Sequence, residues 1–368
     1  MAQTMTSTLA FDSGAPRARA ATPVREAIAD DKALLRAAAD VTRDLHAPKP
    51  AIYWADLTAS AVIGYAALAV AATASSTAVV VVAAVVALFA IYRAVSFIHE
   101  VSHIKHSALP GFRGGWNAMV GVPLLVPSFM YEGVHNLHHA RTRYGTVEDP
   151  EYLPLALMKP WTLPLFVLVS ALAPVALLVR FAVLSPLALI VPPLRSMIWS
   201  RYSALSINPQ FRRRPADGDA RTLWIRLEVA ASLWAIAIVA LVATGVVPLR
   251  SFAIVIGVVS AVTVINQIRT LVAHLWENEG EAMTVTAQYL DSVNVPPPAL
   301  LPMLWAPVGL RYHALHHLLP SVPYHALGEA HRRLSALVDA QSPYHKASYD
   351  GLPGLVTRLV RSTMVVRR

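Results

Sequence analysis

The chain has 368 residues, 55% of them hydrophobic and only 14% charged, with a formal net charge of +9 and no cysteine. An average soluble domain carries roughly 25% charged residues, so the composition excludes an ordinary soluble protein and points to an integral membrane one. The absence of cysteine excludes disulfides, iron–sulfur clusters and cysteine-ligated zinc, and electrons for any redox chemistry must arrive from another molecule.

The N-terminal stretch, residues 1–48, reads as a cytoplasmic segment. Residues 1–20 are rich in Ala, Ser and Thr with no apolar core, unlike a secretory signal, and are expected to be disordered; 21–48 suit a short helix. Seven basic residues (Arg17, Arg19, Arg25, Lys32, Arg36, Arg43, Lys49) precede the first apolar run, and the link at 75–77 has none. That asymmetry places the N-terminus inside and accounts for the charge without nucleic acid. Residues 51–74 are apolar except for Asp56, and 78–98 except for Arg93. Each approaches the ~20 residues needed to cross a bilayer, so together they predict a transmembrane hairpin. Residues 116–131 are apolar but short and contain Pro123 and Pro127, which suits a re-entrant or interfacial segment.

Residues 153–197 are hydrophobic but broken by Pro154, Pro160, Pro164, Pro174, Pro186, Pro192 and Pro193. They read as interfacial helices, with an extra hairpin as the alternative; either returns the chain to the side where Arg212, Arg213 and Arg214 belong. Residues 229–247 and 251–268 are uncharged on either side of Pro248 and form the second hairpin. Residues 341–368 read as a basic cytoplasmic tail with Arg358, Arg361, Arg367 and Arg368.

Three histidine boxes fall on the same membrane face under this topology. His99 and His103 stand in H-E-V-S-H, His135, His138 and His139 in H-N-L-H-H, and His313, His316 and His317 in Y-H-A-L-H-H-L-L-P-S-V-P-Y. Neutral imidazole is the commonest protein metal ligand. Helix residues four apart share a face, so His99 and His103 can serve one ion, and His106 could join them. In the other boxes the three histidines fall on neighbouring helix faces, which suits two adjacent ions. Eight imidazoles are too many for one ion, so a dinuclear centre is the economical reading.

His274 is a ninth candidate, placed where the last span emerges and at i, i+4, i+8 spacing with Asn266 and Thr270. His46, His325, His331 and His345 lie outside the pattern and read as surface or capping residues. Pro320 and Pro323 should stop the helix of the third box. H-E-V-S-H also matches the zinc-protease motif H-E-x-x-H, with Glu100 as general base, but that reading leaves six clustered histidines unexplained. Glu100 is read instead as an outer residue hydrogen-bonding a ligand imidazole or another basic group.

With H-H-A-R-T-R-Y-G-T after the second box and H-H-L-L-P-S-V-P-Y after the third, the sequence resembles the membrane fatty acid desaturase superfamily over roughly residues 50–335. The resemblance implies a histidine-held centre of two non-haem iron ions on the cytoplasmic face, using O2 and two electrons to attack an unactivated C–H bond. Spacing alone leaves zinc and copper open. Relatives with N-x-x-x-H have asparagine where this chain has Thr270, and Glu100 replaces the Asp common in acyl desaturases. The R-T-x-x-x-H and H-E-x-x-H stretches resemble a bacterial branch whose members desaturate, hydroxylate, or decarboxylate fatty acids to terminal alkenes. No fused cytochrome b5 motif such as H-P-G-G is present, so a ferredoxin, rubredoxin or cytochrome would supply electrons.

The expected fold is all-α: an integral membrane protein of four transmembrane helices in two hairpins, with a cytoplasmic helical cap, over a desaturase-like domain at 49–340. The expected activity is desaturation of a fatty acid or acyl substrate at the bacterial inner membrane, with 1-alkene-forming decarboxylation or hydroxylation as alternatives. The substrate chain would lie in an apolar tunnel walled by 116–131 and the helix ends. Lys105, Arg141 and Arg143 are candidates to hold a headgroup, or else solvated.

Overall fold

The structure, a computed structural model, describes residues 28–365 apart from 154, 156 and 157; these are helical, with no strand among them. The expected disordered start, Arg17, Arg19 and Arg25, and Arg367 and Arg368 lie outside the described residues.

Helix α1 (Lys32–Val41) begins where the Asp31 carboxylate accepts from the backbone N–H groups of Ala33 (3.1 Å) and Leu34 (3.0 Å), an N-cap that satisfies donors the helix cannot. α2 (Pro50–Thr73) and α3 (Thr77–His103) form the first hairpin. Ser60, Ala61, Gly64, Leu68 and Ala71 make a buried stripe of mostly small residues on α2, which lets the two backbones approach. A Cβ at Gly64 would stand 2.8 Å from Ile91 Cγ1. The two charges that interrupt the apolar runs answer each other: Arg93 donates to the Asp56 oxygens at 2.7 and 2.5 Å, and the Tyr324 hydroxyl donates to the same carboxylate at 2.9 Å. Paired this way, charges are tolerated at membrane depth, and the loop after the third box is fastened to the hairpin.

Beyond α3 come α4 (Phe112–Trp116), a π turn at Asn117–Gly121 and a 3-10 turn at Ser128–Met130. None is a span, in line with the expectation for this stretch. Asn117 holds it folded, donating to Ser128 Oγ (2.9 Å) and accepting from the Ser128 backbone N–H (2.8 Å). α5 (His135–His138) follows, then α6 (Thr162–Ser170), α7 (Ala173–Val179), α8 (Ser185–Ile190), α9 (Pro192–Arg201), α10 (Gly218–Ala243) and α11 (Leu249–Val272). α10 and α11 are the second hairpin.

One difference from the sequence reading lies here. α7, a π turn at Arg180–Leu184 and α8 run on as a single apolar stretch, Ala173–Ile190, so five helices rather than four are long and apolar enough to cross. Pro174 does not break it because it sits in the first helical turn, where the missing N–H has no helical partner to lose, and Pro186 follows directly on the π turn, in which Ser185 N already bonds to Arg180 O and the wider spacing accommodates the ring. Parity constrains this stretch. α3 and α11 both end at the histidines, so α10 begins on that side and the chain between α3 and α10 crosses an even number of times. α6, at nine residues, spans ~14 Å, too short to be a second crossing of ~30 Å. The Thr263 hydroxyl of α11 donates to Ser170 O at 2.7 Å, which sets the α6–α7 turn beside the middle of α11. The stretch therefore packs against the second hairpin without changing the side on which the boxes emerge.

The remaining helices build the cap: α12 (Val285–Asp291), α13 (Pro302–Trp305), α14 (His313–Leu318), α15 (Leu327–Leu337) and α16 (Leu352–Val360). Leu315 of α14 is buried with Leu34 and Ala38 of α1 and Ala330 and Leu334 of α15. Within the described part of the C-terminal segment, Leu355 and Leu359 of α16 are buried with Leu271 and Val272 of α11, and Arg358 pairs with Glu277 at 3.1 Å.

Candidate metal centre

The four stretches that carry the nine histidines reach one place for local reasons. α3 runs ~1.4 turns past the apolar part of its span, and that extension carries His99 and His103. α5 is a single turn held by backbone bonds from Val134 and His135 to Tyr131 O. His274 follows the C-terminus of α11, where Leu275 N donates to Asp291 O (2.7 Å) and Val293 N to Ala273 O (3.0 Å). α14 is positioned by buried Asn294, whose side-chain oxygen accepts from Leu315 N at 3.0 Å, and it ends at Leu318, two residues before Pro320.

The nine histidines lie together in two groups. His99, His103, His135, His139 and His316 form one, and His138, His274, His313 and His317 the other; in each, the ligand atoms lie within 4.8 Å of one another. The division follows helical geometry. The i, i+4 pairs His99/His103, His135/His139 and His313/His317 each stay within one group, while the i+3 members, His138 and His316, turn to the opposite group. In the first group, Nε2 of His316 lies 3.0 Å from that of His103 and 3.2 Å from that of His139, which is 3.1 Å from that of His135. In the second, Nε2 of His274 lies 3.3 Å from that of His138 and 3.0 Å from that of His313, itself 3.2 Å from that of His317. Nitrogens sharing one ion at ~2.1 Å stand at most ~4.2 Å apart, so both groups are the right size for one cation each. Both nitrogens of His99, buried, have no hydrogen-bond partner among the described residues. A donor set of imidazoles alone suits iron, zinc, copper or nickel.

Carboxylates and phenols fix the outer nitrogens. His135 Nδ1 lies 2.7 Å from Glu151 and 2.9 Å from the Tyr131 hydroxyl. His138 Nδ1 lies 3.0 Å from both oxygens of Asp149, and His274 Nδ1 lies 2.9 Å from the Tyr144 hydroxyl, which donates to Asp291 at 2.8 Å. Such partners hold an imidazole in the tautomer whose Nε2 is free to bind metal. Sequence reasoning missed all of them, although the acidic run Glu148, Asp149, Glu151 after the second box was a visible signal.

Burial, reinforced by neighbouring imidazoles, holds His135, His139, His274, His313, His316 and His317 well below the usual histidine pKa. Burial acts the same way on His138, but Asp149 outweighs it and raises that pKa. Burial also pushes Glu151 and Asp291 up to about 7. The six lowered imidazoles bind protons in the unfolded chain near pH 6.5 but not in the folded one, so they contribute stability above ~6.5 that is lost as pH falls; His138, Glu151 and Asp291, all raised, bind protons first in the folded chain and oppose them, three against six. The melting temperature of metal-free protein should therefore fall between pH 7.5 and 5.5. A flat profile in a thermal-melt series would show that the folded imidazoles already carry protons.

Several candidates lie elsewhere. Glu100 does not hydrogen-bond an imidazole: its carboxylate accepts from the Tyr53 hydroxyl and from the Tyr324 backbone N–H (3.1 Å), with His99 Nδ1 no nearer than 3.7 Å. One position on from His99, it is turned ~100° off the metal-facing side of the helix, toward α2. With His99 and His103 also inside a five-histidine group, the protease arrangement is not formed. His106, beyond the end of α3, contacts Arg113 at 2.8 Å and is half exposed. His46, His325 and His331 contact Ser321, the Lys49 backbone N–H and the Tyr344 hydroxyl. Thr270 donates to Asn266 O, and α11 stops at Val272, so neither shares a helix face with His274. Arg141 pairs with Asp30, and Arg143 with Glu148 at 2.9 Å. A mainly apolar groove of about 690 Å³ is lined by Ala118 and Val122 together with Arg113 and, from α10, Leu227, Ala230 and Trp234.

Together, helices long and apolar enough to cross a membrane and two buried histidine groups define an integral membrane protein with a candidate two-metal centre. The chain belongs to the fatty acid desaturase family, whose model matches residues 75–351, or 277 of the 368 residues. It is similar to the ceramide hydroxylase of Caulobacter vibrioides (strain NA1000 / CB15N), 51% identical over 324 residues that cover 88% of this chain and 92% of that protein. No solved structure matches.

Proposed function

We propose that this enzyme hydroxylates a C–H bond of a ceramide-like membrane lipid, with its nine histidines holding two iron ions at the cytoplasmic face of a bacterial inner membrane. The observation that carries the reaction is the 51% identity to a ceramide hydroxylase along nearly that protein's whole length. The family model alone favours desaturation, the leading expectation from sequence; the relative moves the reading to hydroxylation, one of the alternatives. Nothing observed favours decarboxylation to 1-alkenes.

Bound iron would supply reductive O2 activation: one oxygen atom enters the C–H bond, and the other leaves as water with two electrons and two protons. His99, His103, His135, His139 and His316 would hold one ion, and His138, His274, His313 and His317 the other. Glu151 and Asp149 keep His135 and His138 oriented, and Tyr144 does so for His274. The burial of these side chains excludes bulk water from the reacting volume. The chain has no cysteine, so the electrons come from a separate ferredoxin, rubredoxin or cytochrome. Lys32, Arg36, Arg43 and Lys49 ahead of α2 support a cytoplasmic site.

The test is expression in a host that makes ceramides, with lipids analysed by mass spectrometry under air and under nitrogen. Air-dependent ceramides bearing an added hydroxyl are expected. Unchanged ceramides with new double bonds in fatty acids would sink the reading in favour of desaturation.

A further inference from the structure

The mainly apolar groove of about 690 Å³ beside α10 takes no part in the chemistry above. Its volume is that of a small-molecule site, roughly 300–1,000 Å³. Gly114, Ala118 and Val122, each four residues from the next, line it from α4 and the π turn that continues that helix. Leu223, Leu227 and Trp234 line it from α10, at i, i+4 and i+11 on one helix face.

The two ends of the groove differ. At one, Arg113 lines it and pairs with Glu132 at 3.4 Å. Glu132 stands three residues before His135, so its Cα lies within ~11 Å of that ligand's. At the other, the Trp234 indole N–H donates to Pro123 O at 3.1 Å and ties the two walls together. From Leu223 to Trp234 the helix rises ~16 Å, about half of the ~30 Å hydrocarbon thickness, which is the depth of one leaflet. α10 starts on the side of the histidines, so the groove leads away from them into the membrane.

A hydrocarbon chain fits these walls along their length, and the Arg113 end says what heads it. The Arg113 side chain is 33% exposed; its Nη1 meets Glu132 and His106, while its Nε and Nη2 have no partner among the described residues. Those two nitrogens form the parallel fork of the guanidinium and suit lipid oxygens. The Glu132 carboxylate already balances the cation and would repel a phosphate brought beside it. The fitting head is therefore neutral and oxygen-bearing, as the amide and hydroxyls of a ceramide are.

We propose that this groove holds the hydrocarbon chain that is not oxidised, in a neutral two-chain lipid whose polar group rests on Arg113 and whose second chain is left to reach the histidines. This rests on the ceramide-like substrate proposed above. A chain lying along α10 points away from both histidine groups, so the reacting carbon belongs to the other chain.

The test uses the full-length, iron-loaded enzyme in phosphatidylcholine nanodiscs. Two N-palmitoyl ceramides, with a photoreactive diazirine in the palmitoyl or in the sphingoid chain, are cross-linked under nitrogen, and labelled peptides are read by mass spectrometry. One probe and not the other should label 111–123 and 223–234, with unlabelled ceramide competing and phosphatidylglycerol not. Under air the hydroxyl should then appear on the other chain. Gly114→Leu closes the groove: a Cβ there meets nothing within 4 Å, so the backbone tolerates the change. The leucine takes the room of a few chain carbons, whose lost burial corresponds to roughly ten-fold or more in affinity. Labelling should fall and KM rise by that factor, with iron content unchanged, and Arg113→Gln should remove the preference over phosphatidylglycerol. Equal competition by phosphatidylglycerol in wild type would overturn the assignment, as would label scattered around α10 and undisplaced, the mark of bulk lipid. So would a hydroxyl on the chain that labels the groove, or unchanged labelling in Gly114→Leu. If wild type oxidises no ceramide, the proposed function fails, while labelling still decides whether the groove takes a ceramide chain.

Discussion

His274→Ala should yield protein that folds and inserts but carries about one iron per chain in place of two, with hydroxylation abolished. The four-histidine group has no donor to spare: without His274 it retains His138, His313 and His317 alone. Removing the ring also strands the Tyr144 hydroxyl, which lies 2.9 Å from His274 Nδ1. The loss should exceed the roughly 10–100-fold penalty in metal affinity or activity typical of removing an outer partner. Asp149→Asn, which alters only such a partner of His138, provides that smaller comparison. Metal analysis of purified protein decides the point. Two irons per chain in His274→Ala would mean that this histidine is structural.

His316→Ala should be nearly as damaging through the other group. His316 is the donor there that comes from α14, and its Nε2 lies 3.0 Å from that of His103 and 3.2 Å from that of His139. Four histidines would remain, so iron should bind more weakly instead of vanishing, and dialysis against a chelator should remove it faster than from wild type. Activity should still be lost, because the remaining ion would be displaced from its partner. His106→Ala is the matched control. Its ring contacts Arg113 outside both groups, and iron content and turnover should be unchanged.

Much of this centre was legible from spacing because helical periodicity acts over a few residues. The i, i+4 separations of His99/His103, His135/His139 and His313/His317 are local facts that survive folding, and the two groups divide along them. The hairpin ion pair was legible in principle as well. Asp56 stands nineteen residues before Ser75 and Arg93 seventeen after Ser76, so an antiparallel hairpin brings both to similar depth.

What the sequence did not disclose depends on how distant segments meet. Asp291, the last residue of α12, and Asn294, three residues beyond it, support the site from far along the chain, and nothing in their neighbours marks them. Glu100 occupied the right motif position but the wrong side of its helix. The continuous stretch Ala173–Ile190 was hidden because proline reads as a break in sequence, whereas Pro174 falls in its first turn and Pro186 directly after a π turn.

The most direct test is to incubate purified, iron-loaded enzyme with N-palmitoyl ceramide, a reduced electron donor and 18O2, and to weigh the product by mass spectrometry. A ceramide that gains a single 18O atom and keeps its other carbon–hydrogen bonds is expected. A product that has lost two hydrogens and carries no label would contradict hydroxylation and make the chain a desaturase.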